Sequence, residues 1–183
     1  MKKDFLIVLV VIFFGAFLLN GTKIQSVDDY YLTHVDDISP DSETINISIK
    51  ATTILDNMDK LDDNLKSDKY LPKNGVILED QEMVLRNKDS VFDLLNRVTR
   101  YKKIPFDYQG SDKNSFGSSY IKGINYLYEF SAGPLSGWMY KVNGVFPDYG
   151  VSKYYPKDQD TIEIIYTCDL GRDIGGYVNE PTK

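Results

Sequence analysis

The clearest periodicity in the chain belongs to one amphipathic helix. Val91, Leu94, Leu95, Val98 and Tyr101 recur at helical spacing, and Ser90 precedes them. Ser90 suits the N-cap, with Asp93 three residues on in the capping-box place, where Glu or Gln is usual. A lone apolar stripe cannot bury itself, so it needs a sheet to lie on. Strands are written on both sides of it. Ile45, Ile47 and Ile49 alternate with Asn46, Ser48 and Lys50, and Glu82 to Arg86 carries Met83 and Leu85 in alternation. After the helix come short aromatic segments at Ile104–Tyr108, Tyr120–Ile121, Tyr126–Phe130, Trp138–Val142 and Val145–Phe146, then Thr161–Thr167. Asn143-Gly144 is the strongest short hairpin signal among them. Leu55, Met58, Leu61 and Leu65 predict a further short surface helix. The expected fold is α+β, a β-grasp-like mixed sheet crossed by one main helix.

The ends of the chain read differently. Lys2 and Lys3 precede an unbroken apolar run from Phe5 to Leu19. That is the pattern of an export signal, either an uncleaved N-terminal anchor through residues 5–19 or a cleaved signal peptide. Residues 1–22 are assigned to it. Residues 23–43 form an acidic linker, with no Lys or Arg between Lys23 and Lys50. The domain is expected over 44–176 and a tail over 177–183. The expected location is the outer face of the membrane, or outside the cell.

Composition narrows the chemistry. The 21 basic residues against 27 acidic ones give a net charge of −6, which disfavours a broad hold on nucleic acid. One His and one Cys leave no Cys/His zinc site and no internal disulfide. A Ser-His-Asp triad would have to use His34, which lies in the linker. Asp158, Asp160 and Glu163 are the remaining carboxylate candidates, and they read as solvated charges on a turn and a strand face. The expectation is a binding module and no enzyme, with no required cofactor and no metal.

Ten of the 24 aromatic residues (14 Tyr, 9 Phe, 1 Trp) fall between Tyr120 and Tyr155, interleaved with Gly123, Gly133, Gly137, Gly144 and Gly150. Tyr and Trp offer flat apolar faces with polar edges, and glycine allows close backbone approach. Phe130, Phe146 and Tyr166 are expected in the core. Trp138, Tyr140 and Tyr149 are the surface candidates. A ligand site is placed on Ser136, Gly137, Trp138, Tyr140, Asn143 and Tyr149, with Trp138 and Tyr140 as contact area and Asn143 as a polar contact.

Ser119-Tyr120-Ile121-Lys122-Gly123-Ile124, the run from Gly133 through Gly137-Trp138-Met139-Tyr140-Lys141-Val142-Asn143-Gly144, and Phe146-Pro147-Asp148-Tyr149-Gly150 closely resemble the DUF4430 domain. That domain is similar to the C-terminal β domain of transcobalamin and intrinsic factor. The resemblance implies a β-grasp-like fold and a cobalamin or other corrinoid as ligand, with a partner protein supplying an α-type domain. It also implies that Ala132 and Val151 stand where relatives carry Cys, leaving Cys168 unpaired; such a thiol is expected to be a buried small hydrophobe, with an interchain or reactive site as the alternative. The rival reading is a surface adhesion or assembly module that binds protein or cell-wall polymer.

Protease added to intact cells should digest the domain, and protection would contradict the topology. Mass spectrometry of the mature chain separates the two fates of the apolar run: a start near Thr22 means cleavage.

Overall fold

The structure is a computed structural model, and it describes residues 36–113, 115 and 117–176, with isolated positions 5, 7, 8, 10, 13 and 30. His34, Asn20–Thr22, most of the apolar run and the 177–183 tail lie outside the described residues. Among those described, no helix is long and apolar enough to cross a membrane.

Within residues 36–176, seven strands form two sheets, with one α-helix beside them. The first holds β1 (Thr44–Lys50), β2 (Val76–Val84), β6 (Gly137–Val142) and β7 (Thr161–Thr167), in the order β2-β1-β7-β6. β1 and β7 run parallel, Asn46 opposite Thr161 through Lys50 opposite Ile165, and the outer pairs are antiparallel. The second sheet is β3-β4-β5, from Phe106–Gln109, Tyr120–Ile124 and Leu127–Tyr128. Helix α1 (Val91–Lys102) places Val91, Leu94, Leu95 and Val98 in one buried cluster. That cluster also takes Ile45, Ile47 and Ile49 of β1, Ile162, Ile164 and Tyr166 of β7, and Ile121 and Ile124 of β4. Each such buried aliphatic side chain contributes about 1.5–3 kcal/mol by leaving water.

The helix begins as its sequence dictates. Ser90 Oγ accepts from the Asp93 N–H, and the Asp93 carboxylate accepts from the Ser90 N–H at 2.9 Å. A shorter carboxylate meets the geometry that Glu usually fills. The next two amides are also used: Val91 N–H donates to the Tyr154 carbonyl (3.0 Å) and Phe92 N–H to that of Val151 (2.9 Å). Lys103, at φ 57°, ends the helix.

Several expectations need correction. Residues 52–65 form two 3₁₀ segments, Thr52–Asn57 and Asp63–Leu65, in place of a surface helix. Short polar side chains there compete for the backbone: Asp62 Oδ1 accepts from the Asn64 N–H, and Asn57 Nδ2 donates to the Thr53 carbonyl. β2 starts at Val76, well before Glu82, because the Glu79-Asp80 charges and a register shift opposite Ile47–Ile49 mask its alternation. The β5 strand is two residues long, turned by Asn125 (φ 50°) and Tyr126 (φ 67°). Tyr126 is held there by an edge-on contact with Tyr70, whose carbonyl accepts from Asn125 Nδ2. Phe130 is not core: it sits at φ 68° and is 62% exposed. Asn143-Gly144 does turn the chain (φ 52° and 78°), but Val145–Phe146 forms no strand, only one bridge from Val145 to Val142. β6 pairs with β7 because Asn143 is tied to that strand: its N–H donates to the Thr161 carbonyl and its Oδ1 accepts from the Thr161 N–H.

Asp36, in the acidic stretch before β1, is held by an ion pair. Arg86 forks onto the Asp36 carboxylate at 2.6 and 2.7 Å, and this pairing holds the Asp36 carboxyl below its ordinary range.

Leu94→Asp should unfold the domain, since an unpaired charge at a fully buried position costs several kcal/mol. Ser90→Ala should cost about 1 kcal/mol. Urea midpoints check both, and equal midpoints for Leu94→Asp and the parent would contradict the helix face.

Candidate functional site

Where the two sheets meet, β4 and β6 flank an open cleft of about 220 Å³. Ser119, Tyr120 and Ile121 form one wall, and Trp138, Met139 and Tyr140 the other. The Phe146–Val151 loop closes it through Phe146, Pro147, Gly150 and Val151. A second, more polar recess of about 370 Å³ adjoins it, sharing Ser119, Tyr120 and Gly150 and adding Ser118 and Asp148.

The loop is fixed at its C-terminal end. The Val151 and Tyr154 carbonyls hold the first two amides of α1. Ser118 and Ser152 lie 2.9 Å apart through their hydroxyls, and Ser119 N–H donates to Ser152 Oγ at 2.8 Å. This approach depends on Gly150, where a Cβ would stand 2.2 Å from Ser118 Oγ and 2.4 Å from its Cβ.

The structure distributes the six residues of the sequence-based site unevenly. Trp138 and Tyr140 border the cleft, but they are 7% and 8% exposed, so their rings belong to the core and do not form a flat outer surface. Trp138 packs edge-on against Tyr166 (5.1 Å) and donates its indole N–H to the Leu127 carbonyl at 2.8 Å. The Tyr140 hydroxyl donates to the Tyr149 carbonyl, and burial pushes its pKa far up. Strand alternation explains the burial: Trp138, Tyr140 and Val142 share the face turned to the core. Ser136 is buried, its hydroxyl donating to the Gly133 carbonyl and accepting from the Ala132 N–H. A Cβ on Gly137 would meet nothing closer than 4.0 Å, so no close approach is required there. The Asn143 carboxamide is committed to Asp160 and Thr161. Tyr149 is 63% exposed, outside the cleft lining but between Asp148 and Gly150. Ser119, Tyr120, Ile121, Met139, Phe146, Pro147, Gly150 and Val151 were not in the predicted set. Most of them stand in the motif stretches quoted above, which was the signal available for them.

Tyr120, like Tyr140, is an ionisable group in the apolar lining. Burial, and then the hydrogen bond its hydroxyl gives Glu129 (2.7 Å), push its pKa up to about 12. The carboxylates suspected of hydrolytic chemistry are all engaged. Asp158 accepts from the Thr44 N–H, Asp160 from the Lys157 N–H and Asn143, and Glu163 pairs with Lys50 at 2.9 Å. Cys168 is buried, as expected of an unpaired thiol, and burial raises its pKa.

Residues 88–167 match the family model described as "Domain of unknown function (DUF4430)", so the DUF4430 reading holds over α1 to β7, with β1 and β2 outside the match. No curated protein matches the chain. Among solved structures, a crystal structure of haptocorrin in complex with Cbi is similar at 12% identity and a TM-score of 0.49, over 74% of this chain. The chain spans 27% of the length of that protein.

Gly150→Ala should cost about 1–3 kcal/mol through the Ser118 clash. Ser118→Gly removes the clash together with the Ser118–Ser152 bonds, so Gly150→Ala should cost clearly less in that background than in the parent, and an equal cost in both would contradict the packing. In an ultraviolet titration Tyr120 should ionise near pH 12, and Glu129→Gln should lower that value. The sign follows from linkage. A tyrosine with a raised folded-state pKa stabilises the fold fully below pH 10, and that contribution fades as pH rises towards 12.

Proposed function

We propose that this chain is an exported, non-enzymatic binding module whose β4–β6 cleft receives the edge of a small ligand. The carrying observation is the cleft itself, an apolar and aromatic lining beside a recess with a few placed hydroxyl and carboxylate groups. At about 220 Å³ it is smaller than the ~300–1,000 Å³ usual for pockets that enclose a ligand, so it suits an edge with the remainder covered by a partner. The sheet order with one parallel central pair, and a single helix packed into the same core, favours a β-grasp-like reading. The resemblance of the Ser136–Gly150 run to corrinoid-binding β domains makes a corrinoid the first ligand to test, and a protein with an α-type domain the partner. Lys2, Lys3 and the apolar run support a place on the outer face of the membrane or beyond it. No cofactor is needed for this role.

A second reading, surface adhesion or assembly, is favoured by Tyr126, Tyr128, Phe130, Tyr149 and Tyr155, all large and exposed.

Trp138 is the single Trp and borders the cleft, so its fluorescence reports on the site alone. A corrinoid should quench it saturably after correction for ligand absorbance. Phe146→Ser, at a half-buried lining position, should weaken binding by more than ~1 kcal/mol with little change in melting. No quenching at high micromolar corrinoid, with or without the partner, would sink the corrinoid reading and leave adhesion in the lead.

A further inference from the structure

We infer that the open edge of β6 inside the cleft pairs with an extended peptide segment of a partner protein, one that carries apolar residues and a basic residue. This inference rests on the cleft being a recognition site but requires no corrinoid. β6 is the outermost strand of its sheet. Its odd-numbered residues bond to β7: the Asn143 N–H donates to the Thr161 carbonyl at 2.8 Å, and Lys141 and Met139 stand in the same phase opposite Glu163 and Ile165. In an antiparallel ladder the main-chain groups of the alternate residues then point the other way.

That outer side is closed at both ends. The Ser136 carbonyl accepts from the Phe130 N–H at 3.0 Å, and Val142 and Val145 exchange two main-chain bonds at 2.9 and 3.0 Å. Between these closures no strand among the described residues pairs with Trp138 or Tyr140 on the side away from β7, and both border the cleft. Both residues are buried as a whole, and their peptide groups form the edge where they border the cleft. Facing them, β5 ends at Tyr128, so beyond the bond from Glu129 N–H to the Lys122 carbonyl (2.9 Å) β4 has no strand partner on that side. Tyr120 borders the cleft at this point. An unpaired edge of this kind is a template for an added strand, with main-chain bonds giving affinity and alternate side chains giving specificity.

Charge selects the occupant. Glu129 accepts from the hydroxyl of Tyr120, a residue that lines the cleft, and Asp148 lines the adjoining recess. The nearby Lys141 ammonium lies 4.9 Å over the Phe146 ring, and the chain carries a net −6. A lysine or arginine flanking the apolar residues of the segment complements that rim.

Hydrogen exchange on the full-length, ¹⁵N-labelled protein tests this. In the free protein the Trp138 and Tyr140 amides should exchange at least about tenfold faster than those of Met139 and Lys141, which lie in the β6–β7 ladder. The probe is acetyl-Val-Thr-Val-Lys-amide at millimolar concentration, with a copy N-methylated at alternate residues as control. The unmodified peptide should slow Trp138 and Tyr140 exchange about tenfold near saturation, and the methylated copy should not. The inference is overturned if those amides are already as slow as Met139 in the free protein. Equal protection by the methylated copy, or no protection by the peptide, overturns it as well. A corrinoid that quenches Trp138 while the peptide protects nothing leaves the small-ligand reading standing and removes this one. Protection by the peptide without corrinoid binding does the reverse.

Discussion

The parallel pairing of β1 with β7 is the constraint that organises this fold. Parallel strands cannot be joined by a tight turn, and here everything between Lys50 and Thr161 is the connection. Ile47 and Ile49 lie beside Ile162 and Ile164 in the middle of the sheet, covered on one face by the same cluster that buries α1. β2 and β6 then take the two outer places, and the second sheet fills the remaining side of the core. The cleft is a by-product of this arrangement. β6 is an edge because β7 has already spent its other side on β1.

The core and the candidate site share side chains. Trp138 and Tyr140 pack inward against Tyr166 and Tyr154, while their peptide groups border the cleft. The hydrogen bond from the Trp138 indole to Leu127 also ties β6 to the end of β5, across the same junction. A substitution at Trp138 therefore reports on stability before it reports on recognition. Phe146, half-buried and on the loop, separates the two more cleanly.

Much of the fold was legible in the sequence where burial and periodicity agree. The α1 stripe, the Ser90–Asp93 cap and the alternation in β1 each came from spacing alone. Failures came where local chemistry outweighed the pattern. The Asp- and Asn-rich segment around residues 56–64 turned a helical spacing into 3₁₀ segments, and the Glu79-Asp80 charges hid the first half of β2. Asn143-Gly144 specified its turn correctly, but no local signal said that the strand before it pairs with β7. For the site, sequence clustering found the right region and, in Trp138 and Tyr140, two of its bordering residues. It could not tell an aromatic face from an aromatic core, because strand parity relative to the helix is fixed only in three dimensions. Gly150 was one of several glycines in the sequence, and its contact with Ser118 is what distinguishes it.

The first two amides of α1 end on the carbonyls of Val151, the last residue of the loop that closes the cleft, and of Tyr154 just beyond it. One set of bonds thus serves as both a helix cap and a loop anchor. The loop cannot swing outward without releasing the first turn of the helix, so the cleft opens no more often than that turn frays. A ligand arriving there meets a wall already ordered by the folding of the helix, and its binding spends little on freezing the loop.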